Sequence, residues 1–276
     1  MKKIIIPALL ILASIVYAET TPVYYHGKYS PGIKAYLFGD NVRVRTSPEI
    51  GNNITATLPA GTEITVIENT GKSYALGNYE ENWYKIRFSS GSKSVEGYIW
   101  GGLIAKSSAR EGTYLYAAGI TKHEGMQYNG EVRLINKNKI ISSLPIDYLV
   151  FPFAESGIYD YTVGAEIYGN RGISGIDAVF EITMLYEACG AENGSIFIAR
   201  KGEKLIYITK TSNVSEAGCF NYSEDILFPD DKNGVKDSIV IKTTQEDYDE
   251  DTEEYKITGK SDKIIIFSKD KFIEKK

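Results

Sequence analysis

The sequence predicts an all-β protein, a small barrel followed by a second β-rich domain, and three observations predict it. Apolar and polar residues alternate with a period of two, clusters of turn formers separate the alternating runs, and helical spacing is nowhere sustained. At 276 residues the chain exceeds the usual single domain of about 100 to 200 residues, so two folded units are expected.

The chain begins with Lys2 and Lys3, an apolar stretch over residues 4–16, and Val16-Tyr17-Ala18 with small or medium residues where a signal peptidase reads. Residues 1–18 are therefore expected to be a cleaved signal peptide. The alternative, a membrane anchor, is disfavoured because about a dozen apolar residues fall short of the roughly 20 that span hydrocarbon. No cysteine follows the apolar run, so a lipoprotein signal is not expected, and no later segment is apolar enough to span a bilayer. The mature protein is expected in the periplasm, secreted or at the cell surface. The net charge of −5 becomes more negative once Lys2 and Lys3 leave, a sign that repels phosphates, and no basic stripe offers a nucleic-acid face.

Residues 19–35 are rich in Pro, Gly, Thr and Tyr without periodicity and read as an extended leader. Val42 and Val44 then alternate with Arg43 and Arg45, Ile64 and Val66 flank Thr65, and Tyr84, Ile86 and Phe88 alternate with Lys85 and Arg87. These are half-buried strands. Ser47-Pro48, Pro59-Ala60-Gly61, Gly71-Lys72-Ser73 and Ser89-Ser90-Gly91 supply turns between them. Short strands at this spacing imply a small barrel or sandwich.

Asn41-Val42-Arg43-Val44-Arg45-Thr46-Ser47-Pro48, residues 58–66 (Leu58 to Val66), Trp83-Tyr84-Lys85-Ile86 and Gly97-Tyr98-Ile99-Trp100 stand in this order. Together they resemble the bacterial SH3 domain over residues 36–106, about a quarter of the chain. The resemblance implies an SH3-like barrel and a binding module, and because many secreted proteins with such a module are cell-wall hydrolases, the catalytic residues of that class have to be looked for. Residues 68–82, which carry Tyr74 and Tyr79, are longer than the family pattern and are expected to reshape its groove.

Residues 107–112, Ser-Ser-Ala-Arg-Glu-Gly, read as a linker, and residues 113–276 as a β-rich domain of unknown function. In the latter, Phe180, Ile182, Met184 and Tyr186 share one side of an alternating run, and residues 239–241 and 264–267 are further apolar strands. The stretch from Tyr186 to Pro229 is similar to a region that follows SH3-like domains in other secreted bacterial proteins. The two cysteines, Cys189 and Cys219, are expected to form a disulfide in an oxidising compartment, with two separate buried thiols as the alternative.

The sequence carries no recognisable catalytic set. Both histidines, His26 and His123, precede both cysteines, the reverse of the order in cell-wall cysteine peptidases. Two histidines, one of them in the leader, do not make a zinc amidase, so neither metal nor cofactor is expected. The acidic run at residues 246–254 reads as a solvated loop, and Asn233-Gly234 as a tight turn, because the calcium-loop spacing fails at Pro229.

The candidate ligand-binding residues are the aromatics Tyr74, Tyr79, Trp83, Tyr98 and Trp100, with Asn41 and Arg45 as hydrogen-bond donors to a peptide carbonyl or carboxylate. Trp83 and Tyr98 can equally be core residues, and Asn41 and Arg45 can equally close the first turn. Three functions follow as expectations. The first is non-catalytic recognition of peptidoglycan peptide or another envelope peptide. The second is a protein-interaction scaffold, and the third a cell-wall hydrolase with carboxylates in the second domain.

Overall fold

A computed structural model describes residues 19–20, 28–124, 127–149, 161–186 and 189–275. The signal segment and His26 lie outside the described residues, as does the side chain of His123. The described chain is nearly all strand. In order these are β1 (Glu19–Thr20), β2 (Lys34–Tyr36), β3 (Val42–Arg45), β4 (Ile54–Leu58), β5 (Glu63–Leu76), β6 (Tyr79–Ser90) and β7 (Lys93–Trp100). A single 3-10 turn at Gly101–Leu103 leads to β8 (Ser107–Glu111), β9 (Tyr114–Glu124), β10 (Gln127–Asn136) and β11 (Lys139–Leu149). The rest are β12 (Tyr161–Tyr168), β13 (Ala178–Tyr186), β14 (Asn193–Lys201), β15 (Lys204–Glu216), β16 (Phe220–Leu227), β17 (Ile239–Asp249), β18 (Glu254–Ser268) and β19 (Lys271–Glu274).

They form three antiparallel sheets, ordered β2-β5-β6-β7-β3-β4, β1-β8-β9-β10-β11, and β12 to β19 in chain sequence. The first is a curled half-barrel. Its core is Val42, Val44, Ile64, Val66, Tyr84, Ile86 and Phe88, the inward set that the alternation predicts, joined by Leu37 and Ile99. Gly97 lets β3 approach β7, since a Cβ there would lie 2.4 Å from Val44 and 2.9 Å from the Arg45 carbonyl.

Several expectations change. Arg45 does not alternate outward with Arg43. A register shift between Val44 and Arg45 breaks the period, and Arg45 is buried. Gly71-Lys72-Ser73 does not end a strand but forms an irregularity inside β5, with Gly71 at φ 70° and the register shifting between Asn69 and Ser73. The inserted segment thus extends β5 and β6 into a hairpin arm that turns at Gly77.

The expected linker is the strand β8. Ser107, Ser108 and Ala109 are buried, because β8 pairs with β9 and packs across to β12. Small polar residues that look like linker composition here allow close packing. Glu19 and Thr20, expected in the leader, pair with Arg110 and Ala109 as β1.

One core joins all three sheets. Tyr79, Trp83 and Trp100 from the first pack in a cluster with Tyr116, Val132, Leu134 and Ile146 from the second and Val163, Phe180, Ile182 and Ile198 from the third. Arg200 reinforces this seam. Its Nε donates to the Tyr116 hydroxyl at 2.6 Å, Nη2 to Glu111 at 3.0 Å and Nη1 to Asp177 at 3.0 Å. The third sheet curls on itself around Val179, Phe197, Ala199, Phe228, Ile239 and Ile241. Asn233 takes φ 70° in the predicted turn, and a Cβ on Gly234 would strike the Phe228 carbonyl at 2.1 Å. The acidic run is a hairpin tip rather than a wholly open loop, with Lys256 bonded to Asp249 and holding its carboxyl below the usual range.

The expected disulfide is absent: Cys189 and Cys219 are free and exposed. Gly190 donates its N–H to Ser215, whereas the Cys219 carbonyl accepts from Tyr248, so the cysteines lie on opposite flanks of the β15–β16 hairpin. Titration of the native protein with a thiol reagent, without reductant, is expected to find both thiols; a count of zero contradicts this geometry.

Lys106 enters β8 fully buried, with Nζ 2.7 Å from Glu81 and over the Tyr29 ring at 4.8 Å. Burial pulls its pKa down and Glu81 opposes the shift. Lys106→Met alone leaves a buried carboxylate uncompensated and is expected to cost about 3 to 5 kcal/mol in urea unfolding. Lys106→Met with Glu81→Gln should recover most of that, and a double variant as weak as the single one would show that charge is not the cause.

Candidate functional site

The pocket of interest lies on the first sheet, between the start of β3, the β3–β4 loop and the β5–β6 arm. Asp40, Asn41, Val42, Arg43 and Arg45 form one wall, Ile50 the rim, Tyr74 and Leu76 the arm side, and Trp83, Trp100 and Leu103 the remainder. Its volume is about 230 Å³. Ligand pockets run from about 300 to 1,000 Å³, so this one suits one or two small side chains rather than a cofactor.

The arm is held by Trp100. Its Nε1 donates to the Tyr74 carbonyl at 2.9 Å and to the Glu81 carbonyl at 3.0 Å. The ring meets Tyr74 edge-on at 6.2 Å and Tyr79 at 5.3 Å. Behind it, Glu81 holds Lys106, and burial with help from Glu81 pushes the Tyr84 phenol well above its usual pKa.

Arg45 is 6% exposed. Its Nη1 donates to the Gly51 carbonyl and, at 3.1 Å, to Asn53 Oδ1. Asn53 in turn donates to Ser47 Oγ at 2.6 Å, which closes the β3–β4 loop and sets Ile50 at the rim. Asn41 sits at φ 52°, where an L-residue is strained but Asn is tolerated, and donates to Asp40 Oδ2 at 3.0 Å.

Five of the seven sequence candidates, Asn41, Arg45, Tyr74, Trp83 and Trp100, line this one pocket. Tyr79 and Tyr98 do not. Tyr79 is buried behind Trp100, and Tyr98 lies half-buried opposite Lys85 and Arg45. Nor are the two tryptophans open platforms, at 3% exposed for Trp83 and 7% for Trp100; each serves as core and as wall. The accessible apolar groups are Ile50 and Leu76, 58% and 59% exposed, which the aromatic criterion missed. Leu76 was findable, because it stands two residues from Tyr74 and so shares its strand face.

Elsewhere, burial pushes the Tyr168 phenol above its usual pKa, and Glu166 and Glu181, which share its one hydroxyl proton, add to the shift. This binds both acids to a phenol. Among the described residues no group of three or more His, Cys, Asp or Glu is arranged to hold a metal, and no helix is long and apolar enough to cross a membrane.

The first sheet is thus a small, short-stranded half-barrel with an apolar pocket beside its first loop. Residues 40–105 match the family model of the bacterial SH3 domain, which covers the whole pocket. No curated protein and no solved structure matches the chain.

Trp100→Phe deletes one donor that serves two carbonyls and trims the ring that packs against Tyr74 and Tyr79. It is expected to cost about 1 to 3 kcal/mol in denaturant unfolding. An unchanged midpoint means the indole N–H does not hold the arm.

Proposed function

We propose that this is an exported, non-catalytic binding protein whose SH3 domain recognises a peptidoglycan stem peptide or another cell-envelope peptide. The observation that carries this reading is the convergence of Asn41, Arg45, Tyr74, Trp83 and Trp100 on one pocket inside the matched domain. Apolar walls contact a small side chain while Asn41 and Arg45 offer donors to backbone oxygens, a division suited to a short peptide. The export reading is supported by the basic and apolar start of the chain and the Val16-Tyr17-Ala18 sequence. Absence of catalysis is inferred from the order of histidines and cysteines. The second and third sheets act as the body that carries and braces the module.

The test is retention of the mature protein on purified sacculi, with Leu76→Asp and Ile50→Asp as variants. Both side chains are more exposed than buried, so the substitutions should fold, whereas Trp100→Ala would empty the core. Each variant is expected to weaken retention about tenfold, or about 1.4 kcal/mol. Wild-type protein that passes through unretained removes the cell-wall reading, and full retention of both variants moves the site off this pocket.

A further inference from the structure

We infer that the ligand of this pocket presents a carboxylate, and that Arg45 receives it; the pocket takes a peptide's end rather than its middle. The inference rests on the peptide-binding reading above. It starts from an imbalance. Among the described residues three cationic side chains are buried, Arg45, Lys106 and Arg200. Lys106 lies 2.7 Å from Glu81, and Arg200 lies 3.0 Å from both Glu111 and Asp177. Arg45 has no carboxylate partner among the described residues. Its hydrogen bonds run from Nη1 alone, to the Gly51 carbonyl and the Asn53 amide oxygen, both neutral.

A buried charge is normally paired, because desolvation is not recovered from neutral acceptors alone. Nε and Nη2 remain for a forked contact, the geometry that suits a carboxylate. Nearby charges favour an anion too. Arg43 lines the same pocket, and the one acid in the lining, Asp40, is engaged by Asn41 Nδ2 at 3.0 Å and by the Ala60 N–H at 3.2 Å. The Ile50, Tyr74 and Leu76 surfaces then receive the terminal side chain. The main chain of an internal peptide segment brings only neutral carbonyls and leaves the imbalance in place.

The experiment is calorimetric titration of the full mature protein with N-acetyl-L-lysyl-D-alanyl-D-alanine, as the free acid and as its C-terminal amide. The acid is expected to bind at least about tenfold more tightly. In Arg45→Gln, shown folded by its thermal melt, that ratio should fall to about one. Equal affinity of wild type for acid and amide overturns the carboxylate pairing and leaves peptide recognition standing. An acid preference that persists in Arg45→Gln overturns the assignment to Arg45. If neither peptide binds, the pairing falls, and peptide recognition falls with it only where sacculi also fail to retain the protein.

Discussion

Trp100 stands where the barrel and the two sheets that follow it claim the same volume. Its ring is packed by Tyr74 and Tyr79, its N–H grips the backbone at Tyr74 and Glu81, and the Glu81 carboxylate reaches Lys106 at the entrance to β8. One residue therefore fixes the arm over the pocket and, through Glu81, the place where the second sheet departs. A side chain of that size cannot yield to either demand without disturbing the other, since cores are packed near crystal density. Binding surface and body are consequently one mechanical unit.

Most of the barrel could be read from period-two alternation. Val42, Val44, Ile64, Val66, Ile86 and Phe88 all point inward as the pattern requires. Two of the failures share a cause, dependence on contacts made far along the chain. The alternation at Arg45 breaks because the strand shifts register where β7 approaches across Gly97. Ser107, Ser108 and Ala109 look like a linker until β9 and β12 are placed around them. The site was partly legible for the same reason. Aromatics and donors near Asn41 stood out by type, whereas the rim at Ile50 depends on a loop closed by Arg45 and Asn53, a fact of folding rather than of local pattern.

The buried polar groups divide by task. Arg200 uses Nε, Nη1 and Nη2 to join Tyr116, Asp177 and Glu111 across the seam between the second and third sheets. Lys106 and Glu81 do similar work between the first and second. Ser107 and Ser108 have buried hydroxyls without a partner among the described residues. The seams are thus specified by directional bonds, and the sheets themselves by apolar alternation.

The order of the third sheet has a consequence for biogenesis. Every strand from β12 to β19 pairs with its neighbour in the chain, so this part can assemble by successive local hairpins, a quick route for a β structure. The barrel emerges earlier from the ribosome, yet the cluster that encloses Tyr79, Trp83 and Trp100 draws on residues as late as Leu205. The unit synthesised first therefore waits for strands made long after it. A chaperone that attends the nascent polypeptide would find its foothold on that unclad tryptophan wall.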